Sequence, residues 1–213
     1  MNIKKAFTLA EVLITLAIVG VIAALTVPSL LNKTNDRETV AQLQKVYSSL
    51  ASATNSIIAE EGPVNTWNWA EAGFGMDEIV SNYKKYMDFS KSCGLNINTC
   101  YYENNWKSLN NNSYFHHFSG GNSYYNILKD GTFVKFSKGD STYCTTSNSP
   151  MTVIVNLNGN KPPNKVGRDV FLFFLTNEKG LIAPNKNVDS NCQVSSSGAS
   201  CAGKVLQDGA INY

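Results

Sequence analysis

The N-terminus, MNIKKAFTLAEVLITLAIVGVIAALTVPSLL, constrains this chain more than any other stretch. From Phe7 to Leu31 nearly every residue is apolar, and Lys4 and Lys5 stand just before the run. As a helix rising about 1.5 Å per residue the run extends about 37 Å, enough to cross a hydrocarbon core of about 30 Å. Basic residues ahead of such a helix hold the N-terminus on the cytoplasmic side and send the C-terminal remainder outward. Glu11 and Pro28 are the main irregularities. Glu11 needs an explanation, because a lone carboxylate at that depth costs about 2–3 kcal/mol, less where it reaches the interface.

Three readings compete. A cleaved signal peptide has an apolar core of about 7–15 residues and a small-x-small cleavage site; this run is longer and shows no clear site of that kind. An uncleaved signal anchor accounts for the lysines and the length, and leaves Glu11 to snorkel. The third reading comes from the whole block. KKAFTLAEVLITLAIVGVIAAL resembles the N-terminus of type IV prepilins and type II secretion pseudopilins.

That resemblance implies a sequence of events. Prepilin peptidase cuts a short basic leader, here Met1–Ala6, and Phe7 becomes the N-methylated terminus. Lys4, Lys5, Ala6 and Phe7 are then the processing residues. The apolar helix stays on the mature protein and builds the filament core. Glu11 of one subunit pairs with the new Phe7 amine of a neighbour, which makes a buried carboxylate tolerable and favours assembly. Gly20 and Pro28 match positions where helices of this family loosen, and Pro removes a backbone hydrogen bond. Ala6 stands where Gly is commoner, and Ala10 where a larger apolar residue is frequent.

Charge narrows the partners. The 18 basic residues outnumber the 16 acidic ones only through Lys4 and Lys5, leaving 16 against 16 elsewhere. No global basic field draws nucleic acid. After residue 60 the chain is rich in Asn, Ser, Thr and Gly, as suits an extracytoplasmic domain. Its five cysteines are Cys93, Cys100, Cys144, Cys192 and Cys201, with no C-x-x-C pair, so zinc-ribbon and thioredoxin readings fail. In an oxidising compartment the 93/100 and 192/201 spacings would close small loops and leave Cys144 odd. Spacing alone leaves the connectivity open.

Beyond Leu31 the chain turns polar, and Asn32–Asp36 is a candidate interruption. Val40, Leu43, Tyr47, Leu50, Thr54, Ile57 and Glu61 follow a 3–4 spacing, joined by Ile58, which predicts an amphipathic helix stopped by Gly62-Pro63. Trp67, Trp69 and Phe74 are expected to pack on the domain, residues 77–89 to form a short helix, and Asn96–Ser123 a loop holding His116 and His117. YYNIL-KDG-TFVKF predicts a hairpin around Lys129-Asp130-Gly131. MTVIVNL (151–157) and RDVFLFFLT (168–176) predict two more strands, the second central and buried, and Asn177–Gly180 a turn into LIAP.

The expected fold is α+β: a long N-terminal helix, half transmembrane and half amphipathic, packed on an antiparallel sheet. The expected organisation is leader 1–6, membrane and filament-core helix 7–31, amphipathic half 32–62 and globular domain 63–213. VNLNGNKPPNKVGRDVFLFF and CQVSSSGASCAGKVLQDGAINY also look like segments of bacterial pilin-like proteins with a C-terminal disulfide loop. This second resemblance implies a Cys192–Cys201 pair; Cys93 and Cys100 are the other candidates.

No G-x-S-x-G, H-E-x-x-H, phosphate-loop or dinucleotide pattern occurs, and no enzyme is expected. Asn156, Asn158, Asn160 and Asp169 form an oxygen-rich loop with one clear carboxylate, where calcium wants several. Asp169 is therefore expected to bind loop amides, with no metal and no cofactor. The expected partners are prepilin peptidase, other pilin subunits, the pilus assembly machinery and inner-membrane lipid. The expected location is a single-pass cytoplasmic-membrane precursor, then a periplasmic or cell-surface filament. The rival is a signal-anchored surface binding domain that never polymerises.

Overall fold

The computed structural model describes residues 8–69, 74–95, 100, 106–112, 123–138, 150–183 and 192–213, without the side chains of 32, 33, 74 and 75. Lys4, Lys5, Ala6, Phe7, His116, His117 and Cys144 lie outside the described residues, as do most of Asn96–Ser123 and the Phe74 side chain. The chain divides into two compact units, Met1–Glu38 and Thr39–Tyr213.

Helix α1 runs over Leu9–Glu61 without a break. The interruption considered at Asn32–Asp36 does not occur. No Gly or Pro stands between Ser29 and Glu61, so nothing in the polar stretch breaks the hydrogen-bond ladder. In the first unit the apolar side chains, Leu9, Leu16, Val19 and Leu25 among them, are exposed. By length and composition this helix can cross a membrane. The hydroxyls of Thr15 and Thr26 donate to the carbonyls of Val12 and Ile22, both at 2.9 Å. Their polarity is thus satisfied inside the helix, as hydrocarbon surroundings demand.

In the second unit α1 buries Val40, Leu43, Val46, Leu50, Ala53, Thr54 and Ile57. Glu61, at the end of the same spacing, is exposed. Thr54 is tolerated in the core because its hydroxyl bonds the Leu50 carbonyl at 2.8 Å and the Tyr83 hydroxyl at 2.7 Å. A short 3₁₀ turn, Val64–Thr66, comes next. Trp67 is buried and Trp69 half-buried; their rings stack at 6.1 Å and their indole N–H groups donate to the carbonyls of Gly62 and Val64.

Helix α2 spans Phe74–Tyr86 and stops short of Phe89, which instead opens strand β1, Phe89–Gly94. The other strands are β2 (Ser123–Leu128), β3 (Phe133–Lys138), β4 (Met151–Asn156), β5 (Val170–Thr176) and β6 (Gly180–Ile182). The sheet order is β1-β2-β3-β4-β5-β6, antiparallel throughout. The four strands expected from the sequence are β2 to β5, and the class is α+β. Strand β5 lies second from one edge rather than at the centre. It is apolar on both faces because both faces are covered.

Alternation along the strands sorts the residues into two cores. Val134, Phe136, Val153, Val155, Phe171 and Phe173 join Leu43, Leu50 and Ile57 of α1 and Ile79 and Tyr83 of α2. Tyr125, Phe133, Ile154 and Leu172 join Trp106, Val166 and Ala199 on the other face. Lys135 is buried on that second face, its ammonium 5.2 Å from the Tyr125 ring centroid. The chain closes with helix α3, Cys201–Asp208, capped by Gly209 at φ +62°. This helix has no counterpart among the elements expected from the sequence.

Candidate functional site

Thr8 directly precedes α1, and its Oγ1 accepts the Glu11 backbone N–H at 3.2 Å. Glu11 reciprocates: its Oε2 accepts the Thr8 backbone N–H and the Thr8 hydroxyl, both at 2.8 Å. This is a capping box. It occupies N–H groups that the start of a helix leaves without partners, and it sets a negative charge at the positive end of the helix dipole. Glu11 stands out in the sequence as a carboxylate in an apolar run. Thr8 is not among the residues singled out there, although Thr8-Leu9-Ala10-Glu11 is the S/T-x-x-E pattern that announces such a cap.

Further along α1, a Cβ at Gly20 would meet nothing within 4 Å. Its own fold therefore does not require a glycine there. Pro28 lies inside the helix and cannot donate to the carbonyl four residues back, that of Ala24. The helix is continuous across both positions.

The four candidate disulfide cysteines form two bonds, Cys93–Cys100 and Cys192–Cys201, with Cα separations of 5.8 and 4.9 Å. The first joins the end of β1 to the second core. The second ties the start of the tail to the first residue of α3. Within its loop, Ser196 and Ser197 carbonyls accept the N–H groups of Asn110 and Leu109, both at 3.0 Å. The C-terminal loop is thereby stitched to residues 109–110.

At the β4–β5 connection the Asp169 Oδ2 accepts the Asn164 backbone N–H at 2.7 Å and the Asn158 amide at 2.8 Å. Its Oδ1 accepts the Lys165 backbone N–H. Asn156 lies beside them, donating to the Asn164 Oδ1 at 2.8 Å, while Asn160 is exposed. The carboxylate serves to shape the loop. No group of three or more His, Cys, Asp or Glu residues placed to hold a metal occurs among the described residues.

Burial pushes the Asp169 carboxyl above the ordinary aspartate range, against the Lys165 and Asn164 amides and the Asn158 side chain, which pull it down. The folded chain therefore holds a proton there more tightly than the unfolded chain does. That contribution to stability is complete below the unfolded value, about pH 4, and is lost as pH rises through the raised folded value. In denaturant titrations at a series of pH values, Asp169→Asn is expected to lack this decline. A wild type that gains stability over the variant across that rise would contradict the assignment.

Residues 1–27 match the prokaryotic N-terminal methylation motif. Together with the long apolar helix, the match is consistent with a type IV pilin-like protein, and it implies processing by prepilin peptidase and pilin-like assembly. It also points to a membrane-anchored precursor. The matched segment ends at residue 27 of 213, inside α1. No curated protein and no solved structure matches the chain.

Proposed function

We propose that this chain is a structural subunit of a type IV pilus or a type II secretion pseudopilus, cut by prepilin peptidase after Ala6 and assembled through its N-terminal helix. The observation that carries this reading is the methylation motif at residues 1–27 continuing into a helix whose apolar side chains its own fold leaves exposed. Such a surface needs lipid first and other helices later. Before assembly the subunit is held by inner-membrane lipid, with Lys4 and Lys5 on the cytoplasmic side and Thr39–Tyr213 outside. Afterwards the pilus assembly machinery draws it into a periplasmic or cell-surface filament with other pilin subunits. The two disulfides support an oxidising location for the domain. The role is structural: no cofactor, metal or nucleic acid enters it.

In this reading the mature amine at Phe7 and the Glu11 carboxylate of adjacent subunits pair within the filament core. Removing one partner of a buried pair costs about 3–5 kcal/mol, which is a factor of a hundred or more in an equilibrium. Glu11→Ala is therefore expected to insert and to be processed, with sheared-filament yield falling to about a hundredth or below. Intact mass and N-terminal sequencing of protein from native membranes tests the first step. A start at N-methylated Phe7 is expected. A start at Met1 in a host with active prepilin peptidase would favour a plain signal-anchored surface domain, and normal incorporation of Glu11→Ala would remove Glu11 from assembly.

A further inference from the structure

The two disulfides sit in unlike surroundings. Cys192 and Cys201 are buried, whereas Cys93 and Cys100 are both only half-buried. We propose that Cys93–Cys100 is a reversible redox site that latches an edge strand: a dithiol opens it while Cys192–Cys201 stays closed, and opening frees β1 from β2. A thiolate reaches an accessible disulfide first, and exposed disulfides are the labile ones. The site lies wholly within Thr39–Tyr213, so its test is independent of filament assembly.

Strand β1 has few other fastenings. It stands at one edge of the sheet, and its Ser90, Lys91 and Ser92 are exposed. Its ladder with β2 slips between Phe89 and Lys91 and again between Ser92 and Gly94. The two ends are held differently. At the start, Phe89 packs against the first core and the Asp88 carbonyl accepts the Lys129 N–H at 3.2 Å. The Ser90 hydroxyl adds bonds of 3.1 Å to the Ile127 and Leu128 carbonyls. Further along, Ser92 donates to the Asn126 Oδ1 at 2.7 Å. The Asn126 side chain is fully buried, and its Nδ2 has no hydrogen-bond partner among the described residues. A buried donor left unmade works against seating a strand beside it. Beyond Ser92, Gly94 pairs with Tyr125, and the Cys100 Sγ lies 4.0 Å from the Tyr125 carbonyl oxygen. The disulfide therefore clamps the end of β1 onto β2 at Tyr125, and release runs from Gly94 back toward Phe89.

The latch decides which strand ends the sheet. With β1 seated, the edge is short, bulged and carries Lys91, features that discourage a further strand from pairing. With β1 released, the edge is β2, whose ladder with β3 runs from Ser123 to Ile127 without a shift and whose Tyr124, Tyr125 and Leu128 are otherwise buried. Such a regular, apolar edge is a template for pairing. The opening step is thiol–disulfide exchange. A thiolate of the dithiol attacks one sulfur of the pair, the Cys93–Cys100 bond breaks and a mixed disulfide forms. The second thiol of the reagent then displaces it. Two electrons and two protons pass to Cys93 and Cys100, and the reagent leaves as its own disulfide.

Two readouts on the full micelle-embedded chain, without denaturant, test this. In the first, dithiothreitol is titrated, free thiols are trapped with an alkylating agent, and the peptides are read by mass. Cys93 and Cys100 are expected to label at a dithiol concentration about tenfold or more below the one that labels Cys192 and Cys201. The second is amide hydrogen exchange at the concentration that opens only the first pair. Exchange is expected to rise about thirtyfold over Ser92–Gly94, the low end of what closing a short loop contributes, less at Phe89, and not at all over Val170–Thr176 in β5. Reoxidation is expected to restore protection. The double variant Cys93→Ser, Cys100→Ser, which needs no reductant, is expected to give the same exchange pattern. Simultaneous opening of both pairs, or earlier opening of Cys192–Cys201, would overturn the redox site. Unchanged exchange in β1 would overturn the latch. Equal acceleration in β5 would make the bond a staple for the whole domain, and protection that fails to return would remove reversibility.

Discussion

Gly198→Ala is expected to destabilise the chain by about 3–4 kcal/mol, near the upper end for a single substitution. Gly198 adopts φ +84°, and a Cβ there would sit 2.6 Å from the Val166 carbonyl oxygen and 3.0 Å from the Leu109 Cβ. The first obstacle is backbone and cannot rotate away. Val166 is fixed in turn by donating to the Lys107 carbonyl at 2.8 Å. On the other side, the Cys192–Cys201 bond and the Cys201 N–H to the Gly198 carbonyl leave the loop little slack. Gly209→Ala is the control. It has a similar positive φ of +62° and open space around the missing Cβ, so it carries the left-handed cost alone, about 1–2 kcal/mol. Denaturant unfolding of the micelle-embedded chain, followed by tryptophan fluorescence, reads both. Equal losses would mean that conformation, not the contact with Val166, makes Gly198 necessary.

The same corner marks where sequence stops being readable. The second half of α1 is legible because burial there follows the helical period, and even Thr54 falls on the apolar line. The β2–β3 hairpin is legible because Lys129-Asp130-Gly131 supplies the turn, with Gly131 at φ +87°. Strand β1 is not. Phe-Ser-Lys-Ser-Cys-Gly has no alternation, and two register shifts break its ladder with β2. It is held by tertiary contacts, among them the Ser92 hydroxyl on the Asn126 Oδ1 at 2.7 Å and the disulfide to Cys100. Residues 106–112 read as loop, yet they cover the second face of the sheet, because Trp106 finds Phe133 and the Lys107 N–H finds the Asn164 carbonyl. Tertiary pairings of this kind leave no periodic trace in the sequence. At the helix start the carboxylate is legible from its incongruity, and its partner Thr8 through the Thr8-Leu9-Ala10-Glu11 capping pattern, which the hydrogen bonds bear out.

Phe136→Ala tests the core between helix and sheet. Phe136 is fully buried on β3, its ring 4.8 Å from that of Tyr83 on α2 and 6.5 Å from that of Phe89 on β1. Three elements meet there, so one truncation loosens all of them. The change to alanine is expected to cost about 3–5 kcal/mol, through lost transfer free energy and an unfilled cavity. Phe136→Leu keeps most of the volume and is expected to cost about 1.5 kcal/mol or less. The variants act on Thr39–Tyr213 and leave the first unit untouched, so both should enter the membrane and be processed as the wild type is. A destabilised Phe136→Ala that is cut normally but lost from filaments would locate the requirement for a folded domain after processing. If cleavage itself failed, the peptidase would be sensing the folded domain as well as the N-terminal motif.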